Sequence, residues 1–96
     1  MKVRLSERAL ADIANIRNYL AKRSPQGAEN VRVAIDDAFN LLEQFPRIGR
    51  ESDIKDIRML PVVRYRYLVY YSISAGEIGI VHVRHGSRDA PKADEL

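Results

Sequence analysis

The sequence predicts an α+β domain in the order β-α-α-β-β-β, with a helical hairpin packed on one face of a small antiparallel sheet. Three observations carry this. Apolar residues recur at helical spacing through the first half, with a restart at Ser24-Pro25. The run from Tyr65 to Ile73 is rich in tyrosine and β-branched residues, as strands are. A turn signal, Ser74-Ala75-Gly76-Glu77, then separates that run from a second apolar one, Ile78 to Val83.

Each element has its own warrant. Val3 and Leu5 alternate with Lys2 and Arg4, which predicts a short strand. Ser6 is placed to cap a helix, with Glu7 favourably set against the dipole in its first turn. Leu10, Ile13, Ile16 or Arg17, and Leu20 recur at helical spacing as its stripe, and Lys22 and Arg23 stand near its C-terminal end. Ser24 with Pro25 starts a second helix after a very short connection, so the two are antiparallel. Ala28, Val31, Ile35, Ala38, Phe39, Leu42 and Phe45 make its stripe, and Pro46 ends it. Pro46 through Asp56 reads as the one long loop. Ile57 to Val62 is a strand whose Pro61 marks an edge or bend. Ile78 to Val83 is apolar on both faces and is expected to be central in the sheet.

The 96 residues are expected to form one domain, 1–96, with residues 90–96 a flexible tail. No cysteine is present, which removes disulfides and thiolate metal sites. No run approaches the roughly 20 apolar residues of a membrane span. A soluble cytoplasmic protein without a membrane association is expected.

Charge is unevenly placed. Residues 58–88 hold five arginines against one acid, Glu77, and also four tyrosines and both histidines. A strand buries only half its side chains, so some of these cations must stand on an open face and suit an anionic partner. Direct contact with nucleic acid stays open on this ground. Arg84 and Arg88 bracket His85-Gly86 at the end of a strand and are the leading candidates for a planar fork on phosphate or carboxylate. Pairing with Asp53, Asp56, Glu77 or Asp89 is the alternative reading, preferred for the other arginines. Tyr65, Tyr67 and Tyr71 fall on one face of their strand, and Tyr70 falls on the other with Arg66 and Leu68. His82 and His85 point to opposite faces, so no metal is expected, and no motif calls for a cofactor.

Taken in order, several pieces resemble the RelE/ParE toxin superfamily over residues 2–90. They are the first strand, the hairpin from Ser24-Pro25, the corner Phe45-Pro46-Arg47-Ile48-Gly49-Arg50, Arg58, Tyr67-Leu68-Val69-Tyr70-Tyr71, and the ending Val83-Arg84-His85-Gly86-Ser87-Arg88-Asp89. The tyrosine-rich strand and the ending are more similar to the ParE branch. The resemblance implies the toxin of a type II toxin-antitoxin system. A ParE-like member would inhibit DNA gyrase without bond-breaking chemistry. A cognate antitoxin, ParD-like by the same resemblance, would neutralise it by laying an extended acidic and apolar segment over it.

The RelE branch implies a ribosome-dependent mRNA endonuclease. Basic residues there, often with a late tyrosine or histidine, activate a ribose 2′-OH and stabilise the phosphate. In this chain Tyr67 stands where such members commonly carry an arginine, and Asp89 to Leu96 offers no tyrosine or histidine. The nuclease alternative would rest on Arg58, Arg84, His85 and Arg88. An inactive member that only binds antitoxin is the third reading. The residues expected to contact a target or partner are Arg58, Arg64, Arg66, Tyr67, Arg84, His85 and Arg88.

Overall fold

Two serines start the two helices. Ser6 accepts the Ala9 amide at 3.0 Å and caps α1 (Glu7–Ala21). Ser24 accepts the Gly27 amide at 3.0 Å and caps α2 (Pro25–Gln44), with Pro25 in its first turn. There the missing proline N–H would have had no helical partner in any case. The computed structural model, which describes residues 1–87, places these helices between β1 (Lys2–Leu5) and four further strands. They are β2 (Arg50–Glu51), β3 (Arg58–Pro61), β4 (Tyr67–Ser74) and β5 (Glu77–His85). Arg88 and the expected tail, 90–96, lie outside the described residues.

The sheet order is β1-β5-β4-β3-β2. β1 runs parallel to β5, whereas the other pairs are antiparallel, so the sheet is mixed and not wholly antiparallel as expected. The helical hairpin is the reason. It returns the chain to the end where β1 began, and the Met1 ammonium donates to the Glu43 carbonyl at 2.8 Å. β3, β4 and β5 then alternate in direction, which leaves β5 running with β1. β5 is interior, between β1 and β4, as its apolar faces suggested. The stretch read as a loop contains the short strand β2, paired to β3 through Arg50–Met59 and Glu51–Arg58.

The helices cover one face. Ala9 of α1 and Val31, Ile35, Ala38 and Leu42 of α2 meet Leu60, Val69, Tyr71, Ile78, Ile80 and Val83. Two residues of the expected stripes face solvent: Leu10 is 56% exposed and Phe45 is 55% exposed. The Ser6 cap sets the phase of α1 so that Ala9, Ile13, Ile16 and Leu20 point inward, one residue off Leu10. Phe45 is the C-cap of α2, with non-helical φ −131° and ψ 75°, and therefore leaves the stripe.

β4 and β5 slip register once. Tyr70 pairs with His82 and Tyr71 with Ile80, so Val81 is the extra residue of a bulge. The slip keeps Ile78, Ile80 and Val83 all on the helix side. It also puts His82 on the face opposite Ile78 and Ile80, which simple alternation had placed together.

Candidate interaction surfaces at the two ends of the sheet

The register separates the predicted site residues. Arg58 pairs with Tyr71, and His85 pairs with Tyr67. Tyr67 and Tyr71 are four residue steps apart on β4, about 13 Å of extended chain. Arg84 sits opposite Leu68 and projects from the other face than its neighbour His85. Arg58, Arg84 and His85 therefore do not converge on one point.

Two of the predicted arginines are committed to the fold. The Arg58 guanidinium donates to the Gly49 carbonyl at 2.5 Å and reaches the Arg47 carbonyl at 3.5 Å. Arg84 donates through Nε to the Tyr70 hydroxyl at 2.9 Å and through Nη1 to the His85 carbonyl at 3.2 Å. Its guanidinium also lies 5.5 Å from the Tyr70 ring centre. Arg64 and Arg66, by contrast, are exposed on the turn between β3 and β4. Arg64 has φ 72°, a left-handed conformation that costs a residue with a Cβ about 1–2 kcal/mol. The Gly86 amide donates to the Arg66 carbonyl and ties this turn to the end of β5.

Tyr67 is core, not surface. It is buried in the helix-side cluster and meets the His85 ring edge-on at 5.3 Å. Burial, with a small addition from Tyr19, raises its phenol above the usual range. His85 is held by its own turn. Its Nδ1 accepts the Ser87 amide at 3.1 Å and lies 2.6 Å from the Ser87 hydroxyl. An Nδ1 that accepts an N–H carries no proton, so neutral His85 bears its proton on Nε2.

The opposite end of the sheet carries the corner 45–50. Tyr71 holds it from inside: its hydroxyl donates to the Pro46 carbonyl at 2.8 Å and accepts the Gly49 amide at 2.9 Å. Burial raises the Tyr71 phenol, and the Gly49 hydrogen bond and the charges of Arg58 and Arg47 partly offset that. Gly49 is required by space. A Cβ there would stand 2.6 Å from the Tyr71 hydroxyl oxygen and 2.9 Å from the Met59 carbonyl oxygen. Clamped this way, the corner turns Phe45 and Ile48 outward, 55% and 48% exposed. The sequence marked this corner only as part of a resemblance. A glycine between Ile48 and Arg50, just past a helix-ending proline, was the available sign of a close approach.

One polar pair was not foreseen. Asp12 of α1 accepts the Val83 amide at 3.1 Å and meets His82 Nδ1 at 2.6 Å. β1 ends at Leu5, so from Val81 onward β5 is paired only with β4 and its other edge has no strand among the described residues. Asp12 supplies the missing partner, and Ser6 does the same for the Ile80 and Val81 carbonyls. Seventy residues of separation hide such a pair from sequence patterns.

A capped helical hairpin on a five-stranded mixed sheet, with one clamped corner and one cationic turn, defines the class of protein. Comparison with known proteins places it further. Residues 3–90 match the family described as ParE toxin of type II toxin-antitoxin system, parDE. A protein named Toxin RelE2 from Caulobacter vibrioides is 30% identical over 84% of this chain and 90% of its own length. A Putative toxin Y4kP from Sinorhizobium fredii is 31% identical over 95% of this chain and 94% of its own. A solved structure titled "Chromosomal ParDE TA system from P. aeruginosa" superposes with a TM-score of 0.81 over 88% of this chain and 95% of that one. At 22% identity that likeness speaks to the fold. The chain belongs to the ParE toxin family of type II toxin-antitoxin systems.

Proposed function

We propose that this chain arrests growth by binding DNA gyrase, without bond-breaking chemistry of its own, and that a ParD-like antitoxin neutralises it by direct contact. The observation that carries the reading against catalysis is the separation of Arg58, Arg84 and His85. Cleavage of RNA at a 2′-OH needs a base, an acid and a cation on one phosphate. Here Arg58 is about 13 Å along the sheet from His85, and Arg84 is on the other face. His85 Nδ1 is occupied by Ser87, and buried Tyr67 stands where an arginine would be needed. Support for gyrase as the target comes from membership of the ParE family.

The test is supercoiling by purified gyrase with increasing amounts of the chain. The reading expects loss of supercoiled product and accumulation of cleaved DNA. Full supercoiling at a large molar excess of folded chain would overturn it. The 30% identity to a protein named Toxin RelE2 favours ribosome-dependent mRNA cleavage as the second reading. Primer extension on mRNA in a translation reaction separates the two, since a gyrase poison leaves the message intact.

A further inference from the structure

We propose that the corner end of the sheet is the docking trough for the antitoxin, and that it receives an extended segment with a large apolar side chain next to a carboxylate. This rests on the antitoxin reading above and assigns it a place. Two clefts adjoin there, of about 530 and about 410 Å³, and they share Arg47 and Ile73 as walls. The first is apolar, floored by Met1, Phe45, Pro46, Ile48 and Ile73. The second is cationic on balance, with Arg47, Lys55 and Arg58 against Glu51 and Asp56.

Charge identifies the occupant. Among the described residues, the side chains of Arg47, Arg50 and Lys55 make no ion pair or hydrogen bond. Arg32 is paired by Glu29 and Asp36, Arg4 by Glu77 and Arg58 by backbone carbonyls, whereas the side chains of Arg64 and Arg66 at the turn end also have no bond among the described residues; what sets the corner apart is that its unpaired Arg47 adjoins an apolar cleft. Arg47 stands at the junction of the two clefts, so a carboxylate beside an apolar anchor would meet its unpaired guanidinium. Extended chain advances about 3.3 Å per residue, which lets a few residues span both clefts. Met1, Phe45 and Ile48 are each about half exposed, and clustered apolar exposure of this kind marks an interaction site. The Tyr71 and Arg58 clamp holds the corner in advance, which removes an ordering cost from binding.

The experiment measures, by calorimetry, affinity of the purified chain for a purified ParD-like antitoxin from the same genome. Wild type is compared with Ile48→Asp, Arg47→Glu and the double variant Arg64→Glu/Arg66→Glu at the opposite end. All four changed side chains are exposed, and circular dichroism and thermal melting verify folding. Ile48→Asp is expected to weaken binding about 30-fold and Arg47→Glu about tenfold, while the Arg64/Arg66 variant stays within about threefold. Wild-type affinity in both corner variants would overturn the trough and leave the antitoxin reading standing. Failure of the wild-type chain to bind would sink that reading and this one together. Two other results would also overturn the assignment. One is loss of gyrase inhibition in the corner variants with unchanged antitoxin affinity. The other is a dimer of the free chain that Ile48→Asp dissociates.

Discussion

The two ends of the sheet are built by different means. At the corner end, side chains hold the loop: Tyr71 bonds Pro46 and Gly49, and Arg58 bonds Gly49. At the turn end, backbone holds backbone: the Val62 amide to the Tyr67 carbonyl at 2.9 Å, and the Gly86 amide to the Arg66 carbonyl. A loop held by side chains depends on particular residues. A turn held by its own backbone tolerates many, so its side chains are free to vary. Arginines at the two ends therefore cannot be read alike. Arg58 is structural, while Arg64 and Arg66 are surface cations.

Substitutions that act on one end and spare the other test this contrast. The largest effect is expected at the glycines. Gly49→Ala forces a methyl group into the Tyr71 ring and the Met59 carbonyl and should cost about 3 kcal/mol in urea unfolding. Gly86→Ala meets only the Arg66 carbonyl oxygen, at 3.2 Å, and should cost at most about 1 kcal/mol. Equal losses at the two glycines would break the comparison.

The tyrosines come next. Tyr71→Phe leaves the Gly49 amide and the Pro46 carbonyl without their partner and should cost about 2 kcal/mol. Tyr67→Phe, at the turn end, removes a hydroxyl with no hydrogen bond among the described residues and should stay within about 0.5 kcal/mol. Smaller and of opposite sign is Arg64→Gly. It relieves a left-handed residue and should raise stability by up to about 1 kcal/mol. A loss there would mean that the Arg64 side chain holds the turn.

The smallest effect is in alkali. Both Tyr67 and Tyr71 have phenols raised by burial. A raised phenol keeps its proton more firmly in the folded state. Its contribution is complete below the unfolded value of about 10 and is lost as pH rises through the folded value. The tyrosine contribution should therefore be level through neutral pH, and stability should fall above about pH 10, less steeply in Tyr67→Phe. A steeper fall in that variant would contradict the burial argument.

Local signals in the sequence were reliable where the physics is local. Ser6, Ser24-Pro25 and Pro46 marked the helix ends because caps and proline act within one turn. Four of the five strands followed from alternation and from tyrosine and β-branched content, whereas β2 lay inside the stretch read as a loop. Direction and pairing did not follow, because the parallel β1–β5 ladder joins residues about 75 positions apart, Lys2 to Glu77. The Val81 bulge moved His82 to the other face, an event that alternation cannot foresee. Arginine content pointed to function, but burial and partners decide what each arginine does. Arg84 proved to be engaged by Tyr70, and Arg47, with no assigned role, carries an unpaired guanidinium.

Hydroxyl-radical footprinting of the chain with and without its antitoxin tests the central claim most directly, because it reads side-chain exposure at both ends at once. The account predicts strong protection of Met1, Phe45 and Ile48, with Val63 and Tyr65 at the turn end oxidised as in the free chain. Protection confined to Val63, Tyr65 and His85, with the corner still open, would contradict it.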